Sequence, residues 1–143
     1  MSVEERAHSP RAAFVFHPEK TNLAQLQARA LFFESSAGWG RSLFIPTTET
    51  ETGARQTKEA IEAGCSVVVA VGGDGTVREV AETLRDTGVS MGIVPQGSGN
   101  VLCRNLGIPL TNLDEQLKGI FSGTNRLIDV GIHKVDTNTL TWF

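Results

Sequence analysis

Apolar residues occur along this chain in two alternating patterns, short uninterrupted runs and longer stretches with a period of three to four. The β-branched run from Val67 to Val71 is typical of a strand covered on both faces of a sheet. Together with four further runs it predicts five strands. They are Ala12 to Phe16, Leu43 to Ile45, Val67 to Val71, Met91 to Val94 and Arg126 to Val130.

The stretches between these strands predict helices with one apolar face. Asn22 suits the N-cap of the first helix, after which a turn is predicted from Ser35 to Gly40. The residues predicted to face inward are Leu23, Leu26, Ala30 and Phe33 in the first helix, and Ala54, Thr57 and Ile61 in a second helix from about Gly53 to Ala63. In a third helix they are Val77, Val80, Ala81 and Leu84. A short helix is predicted from Asn100 to Leu106, and in the last helix the inward residues are Leu113, Leu117, Ile120 and Phe121.

The alternation of strands and helices predicts the α/β class. Right-handed crossovers then give a three-layer, mostly parallel, Rossmann-like sheet with helices on both faces. We expect residues 1–11 to be a flexible leader and residues 12–130 to form one α/β domain.

Composition narrows the class of protein. The chain has 143 residues, a net charge of -3 and 40% hydrophobic residues, as expected of one soluble domain. No stretch reaches the length of a membrane span, and the polar N-terminus is not a secretory signal. Cys65 and Cys103 are far apart and fit reduced thiols of a cytoplasmic protein. The chain has no basic block and no tyrosine, which argues against a nucleic-acid partner.

Two glycine-rich loops each follow a predicted strand and precede a predicted helix. The first glycine loop is Gly72-Gly73-Asp74-Gly75-Thr76 and the second is Pro95-Gln96-Gly97-Ser98-Gly99-Asn100. Neither is a Walker loop, since the chain has no Gly-Lys pair, and Arg78 breaks the dinucleotide fingerprint after Gly75. In a parallel sheet both loops lie at the carboxyl edge, and helix N-termini there suit a phosphate.

The side chains of these loops allow both structural and chemical roles. Thr76 and Glu79 have the spacing of a capping box, and ligand contact would be an additional role. Ser98 or Asn100 could likewise cap the helix that follows. Asp74 could be an ordinary turn residue. Beside a phosphate, however, its carboxylate requires Mg²⁺ as a bridge or takes the proton of an attacking hydroxyl.

The two loops together resemble those of the diacylglycerol kinase catalytic domain family, which includes bacterial lipid kinases and sphingosine and ceramide kinases. The resemblance extends from about Ala12 to Val130. It is supported by His17-Pro18-Glu19-Lys20, Thr47-Thr48, Leu106-Gly107-Ile108-Pro109 and Ile128-Asp129-Val130-Gly131. It implies the nucleotide-binding half of an ATP-dependent lipid kinase, with the fold of NAD kinases and diacylglycerol kinases. The motif Gly-Gly-Asp-Gly-Thr by itself is shared with NAD kinases.

By this resemblance, ATP and Mg²⁺ are the expected cofactors and Asp74 is the expected catalytic residue. The metal ligands stay unknown, and Asp74 is one candidate. The implied ATP-binding residues are His17, Thr48, Gly73, Gly75, Thr76, Glu79, Gly97, Ser98 and Asn100. Two positions depart from the family pattern. His17 replaces its usual asparagine after the first strand, and Val101 stands where many diacylglycerol kinases have an aspartate.

Members of the family are two-domain enzymes with a C-terminal β-rich domain that holds the lipid. Residues 131–143 are therefore interpreted as the start of, or link to, such a domain, which is absent from the chain. We expect a chain that binds ATP but does not phosphorylate diacylglycerol or a sphingoid-like lipid by itself. The full-length protein would be cytoplasmic and touch the membrane surface transiently.

Two alternatives remain open from the sequence. An NAD-kinase-like enzyme would share the first glycine loop, although the stretch after Asn100 does not resemble that family. The other is a non-catalytic fragment that binds nucleotide or self-associates as a homodimer, hiding apolar surface. Comparing NAD with diacylglycerol as the acceptor separates the first alternative from a lipid kinase. Light scattering together with ATP titration distinguishes a nucleotide-binding monomer from an assembly without affinity for ATP.

Overall fold

The computed structural model describes residues 10–95 and 113–122. They form four strands and four helices. The strands are β1 (Ala12–Phe16), β2 (Leu43–Pro46), β3 (Val67–Gly72) and β4 (Ser90–Pro95), and the helices are α1 (Leu23–Ala37), α2 (Ala54–Glu62), α3 (Asp74–Leu84) and α4 (Leu113–Ser122). The predicted short helix from Asn100 to Leu106 and the predicted strand from Arg126 to Val130 lie outside the described residues.

The four strands form one parallel sheet in the order β2-β1-β3-β4. Strand β1 pairs with β2 and β3, so that Phe14 lies between Phe44 and Val69. Strand β3 pairs on its other side with β4. The predicted α/β class and parallel sheet are confirmed.

Helices cover both faces of this sheet, which gives three layers. On one face, α2 and α3 pack against alternate strand residues such as Ala13, Val68 and Met91. On the other, α1 and α4 pack against Phe14 and Val69. Two complete apolar faces explain why β3 has an uninterrupted apolar sequence, since every side chain from Val67 to Val71 is buried.

Helix α1 starts where the sequence predicts but ends later. The Asn22 side chain caps it by accepting a hydrogen bond from the Gln25 N–H at 3.1 Å. The predicted turn from Ser35 to Gly40 is wrong in its first half, because the helix continues through Ala37. It ends at Gly38, whose φ of 76° is left-handed, and the Trp39 N–H then bonds back to the Glu34 carbonyl.

Glu34 is the buried acid that this longer helix places under the loop before β2. Only 3% of Glu34 is exposed, although it lies in a polar stretch of sequence. Its Oε1 accepts hydrogen bonds from the Ser42 hydroxyl at 2.6 Å and the Ser42 N–H at 3.0 Å. Arg41 adds an ion pair at 3.5 Å, but its side chain is 84% exposed, so water weakens the attraction.

We expect Glu34→Ala to lower the free energy of unfolding by about 2 kcal/mol, because two partly buried donors of Ser42 lose a charged acceptor. Urea denaturation measures this change. Glu62→Ala is the matched control, since Glu62 is an exposed acid at the end of α2 and should change stability little. Equal stabilities for the two variants would contradict the structural role of Glu34.

Helices α2 and α3 lie side by side. The four residues predicted to face inward in α3 are buried, whereas α2 differs from the prediction in its buried residues. Thr57 is buried as expected, but Ala54 and Ile61 are only partly buried, and Gln56 and Ala60 face the interior instead. The reason is the neighbouring loop and helix, which cover a wider face of α2 than its apolar residues occupy.

Among the described residues, no helix has the length and apolar character needed to cross a membrane.

Candidate functional site

A cleft of about 590 Å³ opens at the carboxyl edge of the sheet. Three strand ends reach it: His17 follows β1, Thr47 and Thr48 follow β2, and Gly73 follows β3. The parallel strand order brings these segments together although they are widely separated in sequence. The lining residues are His17, Lys20, Thr47, Thr48, Glu49, Thr52, Gly73, Asp74, Gly75, Thr76, Arg78 and Glu79.

The N-terminus of α3 forms one wall of the cleft. Helix α3 begins at Asp74 with Gly73 as its N-cap, and the first helical hydrogen bond runs from the Val77 N–H to the Gly73 carbonyl at 3.1 Å. No side chain caps the helix, so the predicted capping box of Thr76 and Glu79 is wrong. The first turn thus starts two residues before Thr76, and its N–H groups and positive dipole end are directed towards the cleft.

The glycines of the first loop differ in whether packing requires them. A Cβ on Gly72 would lie 2.9 Å from the Thr76 hydroxyl oxygen, so packing alone requires glycine there. A Cβ on Gly73 or Gly75 would meet no described atom within 4 Å. Neither has a left-handed φ, and Gly73 is extended. Packing among the described residues therefore does not require glycine at 73 and 75, whereas a ligand that approaches this backbone closely would.

The loop after β2 forms the opposite wall. The Thr47 N–H bonds to the Phe16 carbonyl at 2.9 Å, which holds the start of this loop beside the end of β1. Thr48 and Glu51 exchange two bonds, from the Thr48 N–H to the Glu51 carbonyl and from the Glu51 N–H to the Thr48 hydroxyl oxygen, both at 2.9 Å. The Thr48 hydroxyl hydrogen remains able to donate to a ligand.

The backbone fixes His17 at the edge of the cleft. Its N–H bonds to the Val71 carbonyl at 3.2 Å and extends the pairing of β1 with β3. Its ring Nδ1 accepts a hydrogen bond from the Glu19 N–H at 3.3 Å. The neutral ring therefore carries its proton on Nε2, the nitrogen that can donate to a ligand.

Charged side chains of both signs surround the opening. Lys20 and Arg78 line the cleft and form no ion pair with the residues that the structure describes. Glu79 is half-buried, and its Oε1 accepts a bond from the Thr52 hydroxyl at 3.4 Å across the two walls. The combination of cations with a helix N-terminus suits an anionic group more than a neutral one.

The structure brings together seven of the residues singled out from the sequence. They are His17, Thr48, Gly73, Asp74, Gly75, Thr76 and Glu79. The other three, Gly97, Ser98 and Asn100, lie outside the described residues. Glu49, Thr52 and Arg78 line the cleft but were not singled out. Arg78 follows Asp74 by four residues, one helical turn, and this spacing is the signal that could have found it.

The cleft residues fit a magnesium ion that is shared with a phosphate. Mg²⁺ prefers oxygen ligands, and Asp74 offers a carboxylate at the helix N-terminus. Within residues 10–95 and 113–122, no three acidic, histidine or cysteine side chains are grouped closely enough to hold a metal. A Mg²⁺ site with one carboxylate and several phosphate oxygens needs no such group.

Cys65 takes no part in this cleft. It is 5% exposed and lies two residues before β3, in the core between the sheet and α2. Burial raises the pKa of the Cys65 thiol, while Arg11 lowers it less. The thiol is therefore neutral at pH 7, which is inconsistent with a nucleophile.

An open parallel sheet with a cleft of about 590 Å³ at its carboxyl edge defines an α/β ligand-binding domain. The family follows from comparison with known proteins. The model of the diacylglycerol kinase catalytic domain matches residues 17–133, and the chain belongs to this family.

Named relatives share part of this sequence. A "Probable lipid kinase YegS-like" protein of Pseudomonas aeruginosa is 42% identical over 95 residues, which are 64% of this chain and 31% of the relative. The "Diacylglycerol kinase" of Bacillus subtilis is 32% identical over 129 residues, 85% of this chain and 41% of the relative. The chain thus spans about a third to two fifths of the length of these relatives.

A similar fold occurs in solved structures of diacylglycerol kinases. The crystal structure of a diacylglycerol kinase from Bacillus anthracis str. Sterne superposes with a TM-score of 0.61 at 22% identity. The match covers 81% of this chain and 41% of that one. At this identity the likeness concerns the fold, which agrees with the parallel sheet and its two helical layers.

Proposed function

We propose that this chain is the ATP-binding part of a lipid kinase, which transfers the γ-phosphate of ATP to the hydroxyl of diacylglycerol or a sphingoid-like lipid. The observation that carries the proposal is the pair Gly73 and Gly75. Packing among the described residues requires neither glycine. Gly73 is the N-cap and Gly75 lies in the first turn of a helix whose N-terminus faces the cleft. Family membership supplies the reaction class, and the names of the relatives agree with it.

In this proposal, the first turn of α3 binds the phosphates of ATP. Its backbone N–H groups donate to phosphate oxygens, which requires the close approach that Gly73 and Gly75 allow. The Thr48 hydroxyl and the His17 Nε2–H donate from the opposite wall, and Lys20 and Arg78 neutralise charge. Thr76 and Glu79, which also belong to α3, line the same wall of the cleft as this first turn. The second glycine loop, with Gly97, Ser98 and Asn100, is the further ATP-binding segment implied by the resemblance.

Asp74 is the proposed catalytic residue. A carboxylate in the first turn of a helix is favoured by the dipole, but beside a triphosphate it repels unless a cation lies between them. Mg²⁺, held by Asp74 and phosphate oxygens, would neutralise the charge that develops on the transferred group. Catalysis in such a site is mainly positioning, with the lipid hydroxyl held in line with the γ-phosphate.

Lipid binding belongs, in this proposal, to the additional length of the relatives. These proteins are more than twice as long as this chain. We therefore expect the 143-residue chain to bind ATP without phosphorylating lipid. Turnover of diacylglycerol in mixed micelles by the purified chain would contradict this expectation. The longer protein would work at the membrane surface, where its substrate lies.

The sharpest test of the ATP site is Gly75→Ala. Gly75 is the second residue of α3, where alanine should raise the free energy of unfolding by about 0.5 kcal/mol because it favours the helix. The added methyl group should nevertheless lower ATP affinity about tenfold, because it separates phosphate from the backbone. Isothermal titration with ATP and Mg²⁺ and urea denaturation measure the two opposite effects.

Gly40→Ala is the matched control for this variant. Gly40 also has no left-handed φ, and it lies before β2, away from the cleft. Its substitution should leave ATP affinity unchanged. If the unsubstituted chain does not bind ATP, or if Gly75→Ala binds it equally well, the proposed phosphate site is wrong.

A further inference from the structure

We propose that Gln56 is a positioning residue for the ATP site, which it serves by holding the loop after β2. This inference rests on the proposed function, because Thr48 of that loop is one of the ATP-binding residues. Gln56 lies on α2, is completely buried and does not line the cleft. Nothing in its sequence surroundings distinguishes it from an exposed helix residue.

The Gln56 amide connects both ends of the loop to one helix. Its Nε2 donates to the Pro46 carbonyl at 3.1 Å and to the Glu51 carbonyl at 2.8 Å. Pro46 is the last residue of β2, and Glu51 is the partner of Thr48 in the loop turn. One side-chain NH₂ group thus sets the separation between the strand end and that turn. Thr48 lies within this span.

The orientation of the amide follows from its partners. Both neighbouring groups are carbonyls, so only the NH₂ group can face them. The Oε1 atom is then buried without a hydrogen-bond partner among the described residues. A buried acceptor of this kind lowers stability. A buried polar atom without a hydrogen-bond partner, next to a ligand cleft, is typical of a residue that is kept for binding and not for stability.

The hold on the loop also explains how the two walls stay aligned. Gly53, one turn before Gln56, lies directly against α3, where a Cβ would come 2.9 Å from the Glu79 Cβ. The Thr52 hydroxyl bonds to Glu79 beside this contact. Gln56 therefore links Thr48 to a helix whose N-terminus is already packed against α3, the phosphate-binding wall.

The test compares Gln56→Met, which keeps the length of the side chain but has no donor, with Gln56→Asn, which keeps the amide on a shorter stem. In both variants we expect amide hydrogen exchange at the Thr48 N–H to accelerate about tenfold, since its acceptor Glu51 is released. Exchange at the Val69 N–H in the central strand should not change. The dissociation constant for ATP should rise about tenfold at temperatures where circular dichroism shows the folded state.

Thr57→Val is the matched control. It removes another buried side-chain hydrogen bond of the same helix, from the Thr57 hydroxyl to the Gly53 carbonyl at 2.7 Å. This variant should lose stability while keeping ATP affinity and Thr48 exchange, because it does not touch the loop. Such a result distinguishes positioning from a general loss of stability.

The outcomes separate the two proposals. Unchanged exchange at Thr48 in both variants overturns the role of Gln56, whether or not ATP binds. Faster exchange with unchanged ATP affinity also overturns it, provided that the unsubstituted chain binds ATP. If the unsubstituted chain does not bind ATP, the proposed function fails, and with it the role of Gln56 in an ATP site. Faster exchange at Thr48 would then show a loop anchor only.

Discussion

Asp74→Asn is expected to remove the Mg²⁺ dependence of ATP binding. In the unsubstituted chain, Mg²⁺ should strengthen ATP binding about tenfold, because in the proposed site the Asp74 carboxylate would hold the cation and its positive charge would offset that of the phosphates. In the variant, ATP should bind about equally with Mg²⁺ and with EDTA, because the amide neither repels phosphate nor attracts the cation. Isothermal titration under both conditions measures the difference. In a longer protein with kinase activity that contains this chain, the variant should lower turnover about 10³-fold.

Asp86→Asn is the control for charge. It removes the same negative charge just beyond the other end of α3, and asparagine tolerates the left-handed φ of 63° found there. This substitution should preserve the Mg²⁺ dependence. A tenfold effect of Mg²⁺ that survives in Asp74→Asn would exclude Asp74 as the metal-binding carboxylate. Retained turnover in the longer protein would exclude its catalytic role.

Gly53→Ala is expected to lower the free energy of unfolding by about 3 kcal/mol. Two effects add at this position. Its φ of 149° is a conformation that a side chain disfavours, and the new Cβ would lie 2.9 Å from the Glu79 Cβ. Because the contact is with the first carbon of Glu79, rotation of that side chain cannot relieve it and the helices must separate. Chemical denaturation measures the loss.

Gly64→Ala separates conformational strain from the helix contact. Gly64 also has a left-handed φ, 81°, but a Cβ there would meet nothing within 4 Å. Its substitution should cost about 1 kcal/mol, from the backbone alone. If the two variants are equally unstable, α2 and α3 do not pack as closely as the structure shows.

The strands were the most predictable part of the fold. All four described strands lie within one residue of their predicted limits. The clearest case is β3, because a strand buried on both faces leaves an unbroken apolar run in the sequence. Helix ends were less predictable. The sequence around Ser35 resembles a turn, yet α1 continues to Ala37 and ends at Gly38, and the Glu34 side chain bonds to Ser42, beyond the helix.

The sequence predicted which residues form the candidate site, but not where helix α3 begins within it. The glycines and Asp74 were identified from the strand, loop and helix pattern, and the structure places them in one cleft with His17 and Thr48. The capping box was wrong because Thr76 and Glu79 have the right spacing but lie inside the helix. A short motif gives the spacing of residues but not the first residue of the helix. That residue depends on the backbone conformation of Gly72 and Gly73 after β3.

The sequence by itself determined the class of the fold and the family, because apolar periodicity and two glycine loops are local signals. Tertiary structure decided three further points: that the strand ends at His17 and Thr48 meet the first glycine loop, that Gly72 serves packing whereas Gly73 and Gly75 face open space, and that Gln56 and Glu34 are buried. Each of these depends on groups brought together from distant positions, whose contacts no local pattern contains.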